Sequence, residues 1–142
     1  SQKRIQKSQM IRQDFIIKQI NQLGQVLARL LSDLQGLKNS GQINEGLEIT
    51  NQTLKKELEF DVQELLDIPT DKFIETLRTH KNVTIDSLEK LAEILLLIAD
   101  NKHEDSKIIY QKCVMIYEYL EKAEDSYTLH RQWILQRIKT EL

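Results

Sequence analysis

The chain has 142 residues, a length that fits one domain able to bury well over half of the surface that its unfolded form would expose. Hydrophobic residues make up 40% of it, but no apolar run approaches the roughly 20 residues that a membrane-spanning helix needs. Its one cysteine, Cys113, excludes an internal disulfide and favours a reducing compartment. We therefore expect a cytoplasmic protein with no secretory signal and no membrane partner.

Lysine and arginine are concentrated in the first part of the chain. Residues 1–56 hold nine Lys and Arg against four Asp and Glu, a net charge of +5, whereas residues 57–142 hold eleven against eighteen, a net charge of −7. Two interpretations stay open. The two parts attract each other within the fold or across a dimer, or the basic part binds an anionic partner.

The composition predicts an all-α fold. Four Gly and one Pro leave little turn chemistry for sheets, while Leu, Lys, Glu and Gln, which are good helix formers, are frequent. We expect a single domain over residues 1–142 with six or seven helices, in which residues 1–9 form a frayed or flexible extension.

The first predicted helix covers residues 10–38 and carries a heptad pattern. Its apolar residues alternate at steps of four and three, namely Ile16, Ile20, Leu23, Leu27, Leu30, Leu34 and Leu37. Gly24 and Gly36 are points at which this helix could bend or end. A second ridge of Ile17, Gly24, Ala28 and Leu31 widens the apolar stripe. This favours burial in a bundle, with a coiled-coil dimer as the alternative.

The middle of the chain predicts a hairpin and a corner. Gly41 suits the left-handed position after a helix, and a second amphipathic helix follows from about Ile43 to Glu59. Residues 60–80 predict two short helices separated at Pro69, because proline forces the preceding residue out of the helical region. Thr70 with Asp71 offers an N-cap for the second of them.

Residues 84–120 predict the pair of helices around which the fold is organised. Thr84 is the expected N-cap of the first, whose sequence IDSLEKLAEILLLIAD is apolar on nearly two faces and must be covered on both. The second, SKIIYQKCVMIYEYL, follows after the short polar break NKHED, so the two lie antiparallel. A last helix is expected from Tyr127 to Leu142, capped by Ser126, with an apolar face of Leu129, Trp133, Ile134 and Ile138.

Two segments of the chain resemble tetratricopeptide repeats. LKNSGQINEGLEITNQTL, residues 37–54, has Gly41 at the repeat's turn and Gly46 at the small position five residues later. LIADNKHEDSKIIYQKCV, residues 97–114, repeats this pattern with Asn101, Ser106, Tyr110 and Cys113. The copies lie 60 residues apart rather than the ~34 of a tandem array, and the family's Trp and helix-breaking Pro are absent. The run MIRQDFIIKQI also resembles the start of a bacterial family of unknown function with tetratricopeptide-like helices.

The resemblance implies a non-enzymatic adaptor or scaffold that binds a protein segment, or itself as a homodimer, in a concave groove. The groove-facing positions of the second unit, and hence the candidate partner-binding residues, are Leu88, Leu91, Leu95 and Ile98. Another segment of the chain or an outside partner could fill such a groove. Internal filling is favoured, because soluble monomers rarely expose large apolar patches.

Residues with catalytic or metal-binding side chains form no recognisable constellation. His103, Glu104 and Asp105 are adjacent but point in different directions around a helix, and Cys113 suits a buried structural thiol. Tyr110 and Tyr117 are expected in the core with their hydroxyls reaching the surface. We therefore expect no catalytic residue, no metal and no cofactor.

The alternative function is nucleic-acid association or regulation through the basic N-terminal helix. Its candidate contacts are Lys3, Arg4, Lys7, Arg12 and Lys18. No aromatic residues are interleaved with them, and the isoelectric point near 5.9 argues against a dedicated nucleic-acid binder. Nucleic acid is therefore the less expected partner.

Overall fold

The computed structural model describes residues 2–58, 61–101, 104–125 and 128–142, without the side chains of residues 2–12, 16, 47, 57 and 58. Within these residues all regular structure is helical, which confirms the predicted all-α class. The helices are α1 (Gln2–Asn39), α2 (Gly46–Leu58), α3 (Val62–Asp67), α4 (Phe73–Glu75), α5 (Ile85–Asp100), α6 (Ser106–Ala123) and α7 (Leu129–Glu141). Short 3-10 turns, Ile43–Glu45 and Thr70–Lys72, precede α2 and α4, and a π turn, Thr76–His80, follows α4.

Helix α1 is one continuous rod. It passes through both Gly24 and Gly36 without a break and includes residues 2–9, which the sequence predicted as a frayed or flexible extension. It ends where Gly41 takes the left-handed region at φ 76°, as predicted. The Gly41 amide donates to the Lys38 carbonyl, and the Gln42 amide donates to the Leu37 carbonyl at 2.7 Å. This pair of hydrogen bonds is a Schellman motif, which satisfies carbonyls that the helix end leaves free.

The start of α2 lies close against α1. A Cβ added to Gly46 would stand 2.9 Å from Cδ2 of Leu34, so the absence of a side chain there permits the approach. The hydroxyl of the buried Thr50 donates to the Gly46 carbonyl at 2.7 Å. The predicted start of this helix at Ile43 is corrected, because the turn from Ile43 to Glu45 is 3-10 rather than α.

The corner between the hairpins is built from short helices, as predicted. Asp61 caps α3 by accepting the Glu64 amide at 3.0 Å, and Ile68 before Pro69 is extended. The predicted cap at Thr70 is wrong. A 3-10 turn begins there instead, without a side-chain cap.

Helices α5 and α6 form the predicted antiparallel pair. The Thr84 hydroxyl accepts the Ser87 amide at 3.2 Å, which confirms the N-cap of α5. The Ser106 hydroxyl donates to the Ala99 carbonyl, and the Cys113 thiol donates to the Ala92 carbonyl. Because a late residue of α5 meets an early residue of α6, and the reverse, the two helices run in opposite directions.

The hydrophobic core is centred on α5. Helices α1 and α6 both contact α5, but Leu96 and Leu97 are only partly buried, so the prediction that α5 is covered on both sides is confirmed for one side only. The α1 residues in this core are Leu23, Leu27, Leu30 and Leu34, each at most 4% exposed. This part of the heptad pattern is therefore bundle core and not a dimer seam. The side chain of Ile16 lies outside the described residues.

Helix α7 presents a different face from the one predicted. Thr128 caps it by accepting the Arg131 amide at 3.1 Å, whereas the predicted cap Ser126 and predicted first residue Tyr127 lie outside the described residues. The predicted Leu129 and Trp133 are 91% and 62% exposed. The buried residues of α7 are Arg131, Ile134, Leu135 and Ile138. Only Ile134 and Ile138 of the predicted face are confirmed as core.

In the part of the chain that the structure describes, no helix combines the length and the apolar character that crossing a membrane would require.

Candidate functional site

The four residues predicted to line a groove lie in the core. Their exposed fractions are 0% for Leu88, 1% for Leu91, 1% for Leu95 and 4% for Ile98. They belong to the same hydrophobic cluster as the α1 seam and the apolar face of α6. A partner has no access to them in this conformation. Their burial agrees with the favoured interpretation, in which the chain fills the groove itself, and not with an outside partner bound at these four positions.

The opposite face of α5 is open. Leu96 and Leu97 are only partly buried there, and they line a cavity of about 570 Å³ between α1 and α7. Helix α1 contributes Leu31, Gln35 and Lys38 to its wall, and α7 contributes His130, Trp133, Ile134 and Arg137. Glu93 and Asp100 of α5 complete the lining. We call this cavity the α1–α7 groove.

Arg137 and Trp133 form a fixed edge of the α1–α7 groove. The Arg137 guanidinium lies 5.8 Å from the centre of the Trp133 ring and donates to both Asp100 carboxylate oxygens, at 2.9 and 3.0 Å. The hydroxyl of Tyr110 donates to the same carboxylate at 2.6 Å. The hydrogen bonds to Asp100 raise the pKa of Arg137. The pKa of Tyr110 is also raised, chiefly by burial and to a smaller extent by its hydrogen bond to Asp100. The exposed indole is therefore held on a rigid support.

Glu93 is one of two acids that line the α1–α7 groove, the other being Asp100. Burial raises the pKa of its carboxyl, and the neighbouring Glu89 raises it further, while His130 and Lys90 oppose the change. The groove thus disfavours the ionised carboxylate. A ligand that supplies a hydrogen-bond donor or a cation at this point would relieve that penalty.

A second groove continues the first along α1. It encloses about 550 Å³ between Ile20, Asn21, Gly24, Gln25 and Ala28 of α1 and Thr84, Asp86, Ser87 and Lys90 of α5. We call it the α1–α5 groove. Residues 20–28 of α1 lie beside the start of α5 in this groove. In the α1–α7 groove, residues 31–38 of α1 lie beside the end of α5. The two helices are therefore parallel, and the grooves lie end to end on one face of α1.

Charged and polar groups also meet where α5, α6 and α7 join. Arg131, only 5% exposed, donates through Nε to Glu89 at 3.2 Å and through Nη2 to Glu124 at 3.1 Å. Among the described residues, the Tyr117 hydroxyl, Oε1 of Glu121 and Nη1 of Arg131 are buried without a hydrogen-bond partner. The prediction that the Tyr117 hydroxyl reaches the surface is wrong, and burial raises its pKa. The cluster anchors α7 on α5 and α6.

The remaining candidate chemical groups do not converge on a site. Cys113 is fully buried, as predicted, and burial raises the pKa of its thiol, which therefore stays protonated. His103 lies outside the described residues, and Glu104 is exposed. Within the described part of the chain, no three His, Cys, Asp or Glu side chains are arranged to hold a metal ion. Of the basic N-terminal candidates only the Lys18 side chain is described, and it is exposed; those of Lys3, Arg4, Lys7 and Arg12 lie outside the described residues.

Sequence patterns do not predict the α1–α7 groove. They predict Leu31 in a ridge that favours a bundle, Leu97 on a helix covered on both sides, and Trp133 on the face by which the last helix packs. The sequence does contain one signal for a groove beside α7. Leu129 and Trp133 lie on one side of this helix and Ile134 and Ile138 on the other, and a helix that is apolar on two sides has two faces to cover. The groove joins residues 31–38, 93–100 and 130–137, which belong to three different helices, and periodicity within one helix does not reveal such a contact.

Comparison with protein-family models, with curated proteins and with solved structures found no match to this chain. The resemblances to tetratricopeptide repeats and to a bacterial family of unknown function therefore stay predictions.

Proposed function

We propose that this protein is a non-enzymatic interaction module that binds a helical protein segment in the α1–α7 groove. The observation that carries the proposal is Trp133, which is 62% exposed and fixed by Arg137 beside the partly exposed Leu31 and Leu97. Tryptophan and arginine are the residues most enriched among the energetic centres of protein interfaces. An exposed aromatic held in place by its neighbours loses little entropy when a partner covers it.

The shape and chemistry of the groove suit a helix. Its cavity of about 570 Å³ lies between two helices that both pack on α5, and its floor is formed by Leu96 and Leu97. An amphipathic helix places side chains at i, i+3, i+4 and i+7 into such a channel. Lys38 and Glu93 lie among the lining residues and offer one charge of each sign, which can fix the direction of the bound helix.

The state of the potential nucleophiles supports a non-enzymatic role. The thiol of Cys113 and the hydroxyl of Tyr117 are buried, and burial raises both pKa values, so neither group ionises near neutral pH. The Tyr110 hydroxyl is committed to Asp100. The single buried cysteine also supports action in a reducing compartment, which we propose to be the cytoplasm.

The test is affinity capture from a lysate after nuclease treatment, with Trp133→Glu compared with the wild type. Because Trp133 is exposed, the substitution leaves the fold intact but places a charge on the edge of the groove that the partner is proposed to cover. We expect the captured protein to fall at least tenfold. Ile108→Glu is the matched control, since Ile108 is 44% exposed and lies outside the groove lining.

Equal capture by the wild type and Trp133→Glu would contradict the proposal. Loss of every partner on nuclease treatment would support the alternative, nucleic-acid association through the basic segment of α1. Circular dichroism and thermal melting of both variants establish that any loss of capture is not a loss of folding.

A further inference from the structure

We propose that a second copy of this chain supplies the bound helix, through an antiparallel dimer in which the N-terminal half of α1 in each protomer lies along the grooves of its partner. This inference rests on the proposed function for the place of the binding site. It adds the identity of the occupant and the direction in which it lies.

The N-terminal half of α1 has no described side chain in the hydrophobic core. Helix α1 begins at Gln2, but Leu23 is the first of its described side chains to be buried. Phe15 and Ile17 are 60% and 55% exposed. At 1.5 Å per residue, residues 2–22 extend for about 32 Å. We call this segment the α1 extension. Isolated helices are marginal in water, so an extension with apolar residues on its surface is stabilised by a partner that covers it.

The face of α1 that lines both grooves suits self-pairing. Its small and apolar positions in the grooves are Ile20, Gly24, Ala28 and Leu31, and Ile17, outside both grooves, continues this ridge toward the N-terminus, so that the steps are three, four, four and three. The large side chains stand at the N-terminal end of this ridge and the small ones stand in its middle. Two antiparallel copies therefore place Ile17 of one protomer opposite Ala28 of its partner, with the two-fold axis between residues 20 and 24. Large side chains then meet small ones, which lets the helices approach closely.

This register brings the α1 extension of one protomer into the α1–α7 groove of the other. With the axis between residues 20 and 24, positions 7–14 of one helix lie beside positions 31–38 of its partner. Those positions include Leu31, Gln35 and Lys38, which form one wall of the groove opposite Trp133. The same contact occurs twice, because the axis relates both protomers.

Charge and area support this occupant. Residues 1–22 hold five Lys and Arg against one Asp, whereas the remaining 120 residues hold fifteen against twenty-one. The basic extension of one protomer thus meets a partner whose remaining residues are net acidic, although the α1–α7 groove lining itself is balanced, with Lys38 and Arg137 against Glu93 and Asp100. Half of the surface of a helix about 10 Å wide and about 32 Å long is about 500 Å². Each extension buries about this area of its own surface and an equal area of its partner, so the two extensions together bury about 2,000 Å². Stable interfaces bury about 1,200–2,000 Å².

Sedimentation velocity of the full chain over a concentration series tests the dimer. We expect a monomer–dimer equilibrium whose dissociation constant rises at least tenfold in Ile17→Lys and in Ala28→Lys. Both side chains are exposed within one protomer, so neither change removes a core contact. Ile108→Lys, outside both grooves, is expected to leave the dissociation constant unchanged.

Cysteine crosslinking tests the direction of pairing. Under oxidation, Asn21→Cys is expected to give a disulfide-linked dimer and Gln22→Cys is not. The two positions are adjacent and exposed, but Asn21 lines the α1–α5 groove and Gln22 does not. The double variant Ile17→Cys, Ala28→Cys is expected to crosslink, whereas Ile17→Cys alone is not, because the two copies of residue 17 lie about 16 Å apart in the antiparallel register.

A monomer at all concentrations would overturn the inference, and efficient crosslinking of Ile17→Cys alone would overturn the antiparallel arrangement. Such a monomer that still captures another protein through Trp133 leaves the proposed function standing without its self-pairing. A dimer that persists undiminished in Trp133→Glu, Ile17→Lys and Ala28→Lys overturns the inference and moves self-association to another surface.

Discussion

The two faces of α5 illustrate how neighbours, rather than composition, decide what an apolar residue does. Leu91 and Leu95 on the inner face are 1% exposed, whereas Leu96 and Leu97 on the outer face are partly open at the floor of the α1–α7 groove. All four are leucines within seven residues of one another. On the inner face α1 and α6 close over the helix, whereas on the outer side α1 and α7 leave a channel between them.

The outer face also differs in how its neighbour is attached. Helix α7 is held on α5 by two arginine–carboxylate pairs, Arg131 with Glu89 and Arg137 with Asp100. Ion pairs fix α7 at two points in addition to its buried apolar side chains, and a groove remains beside them. The inner face is closed mainly by packed apolar side chains, with hydrogen bonds from Ser106 and Cys113 of α6 to α5 carbonyls. The predictions below test this difference, from the largest expected effect to the smallest.

Truncation of a leucine should cost far more on the inner face. Leu91→Ala removes a side chain that is 1% exposed, so we expect a loss of about 2–5 kcal/mol in the free energy of unfolding. Leu97→Ala, on the same helix, should cost about 1 kcal/mol or less because solvent already reaches that side chain. Urea denaturation measures both. Equal losses would show that the groove closes over Leu97 in solution.

The two arginine pairs should differ in strength. The side chain of Arg131 is 6% exposed, and Arg131→Ala leaves two glutamates without their partner, so we expect a loss of about 2 kcal/mol. Arg137 and Asp100 are 30% and 28% exposed, and Arg137→Ala should cost no more than about 1 kcal/mol. Equilibrium unfolding of both variants checks the order. The reverse order would show that α7 is anchored at the groove edge instead.

The pH dependence of the free energy of unfolding should show that the ionised carboxylate of Glu93, on the outer face of α5, destabilises the fold. Its pKa is raised above the ordinary value of 4.5, chiefly by burial, so the folded state favours the protonated acid. The protonated Glu93 carboxyl therefore contributes to the free energy of unfolding below pH 4.5, and this contribution is lost as the pH rises through the raised pKa of the folded state. Glu93→Gln should therefore be more stable than the wild type at neutral pH, by less than about 1 kcal/mol, and the difference should vanish near pH 4.

Thermal melting of the wild type and Glu93→Gln between pH 4 and pH 8 measures this difference. A Glu93→Gln variant that is less stable than the wild type at neutral pH would show that the ionised carboxylate makes a favourable contact.

Local signals in the sequence predicted much of the fold. The cap at Thr84, the left-handed turn at Gly41 and the extended residue before Pro69 depend on the backbone preferences of one or two residues, and all three are confirmed. The antiparallel pairing of α5 and α6 follows from the short connection between them. The heptad pattern predicted the buried seam of α1 from Leu23 to Leu34, because one apolar stripe on a helix has one way to be covered.

The site could not be predicted in the same way. Helix α7 is apolar on two sides, and the sequence alone gave no reason to bury Ile134 rather than Trp133. That choice depends on Arg131 and Arg137, which pair with carboxylates 42 and 37 residues away. The open positions of Leu96 and Leu97 follow from the placement of α7, and so does the α1–α7 groove.

The sequence by itself predicted an all-α fold of six or seven helices, the N-cap of α5, the left-handed turn after α1 and the apolar stripe that buries α1. Only the tertiary structure decided which face of α5 is closed and which remains available. The physical reason is that helix formation and capping are local events governed by hydrogen bonds within a few residues. The exposure of a leucine or a tryptophan, by contrast, is set by the distance to a neighbouring helix that the chain reaches tens of residues later.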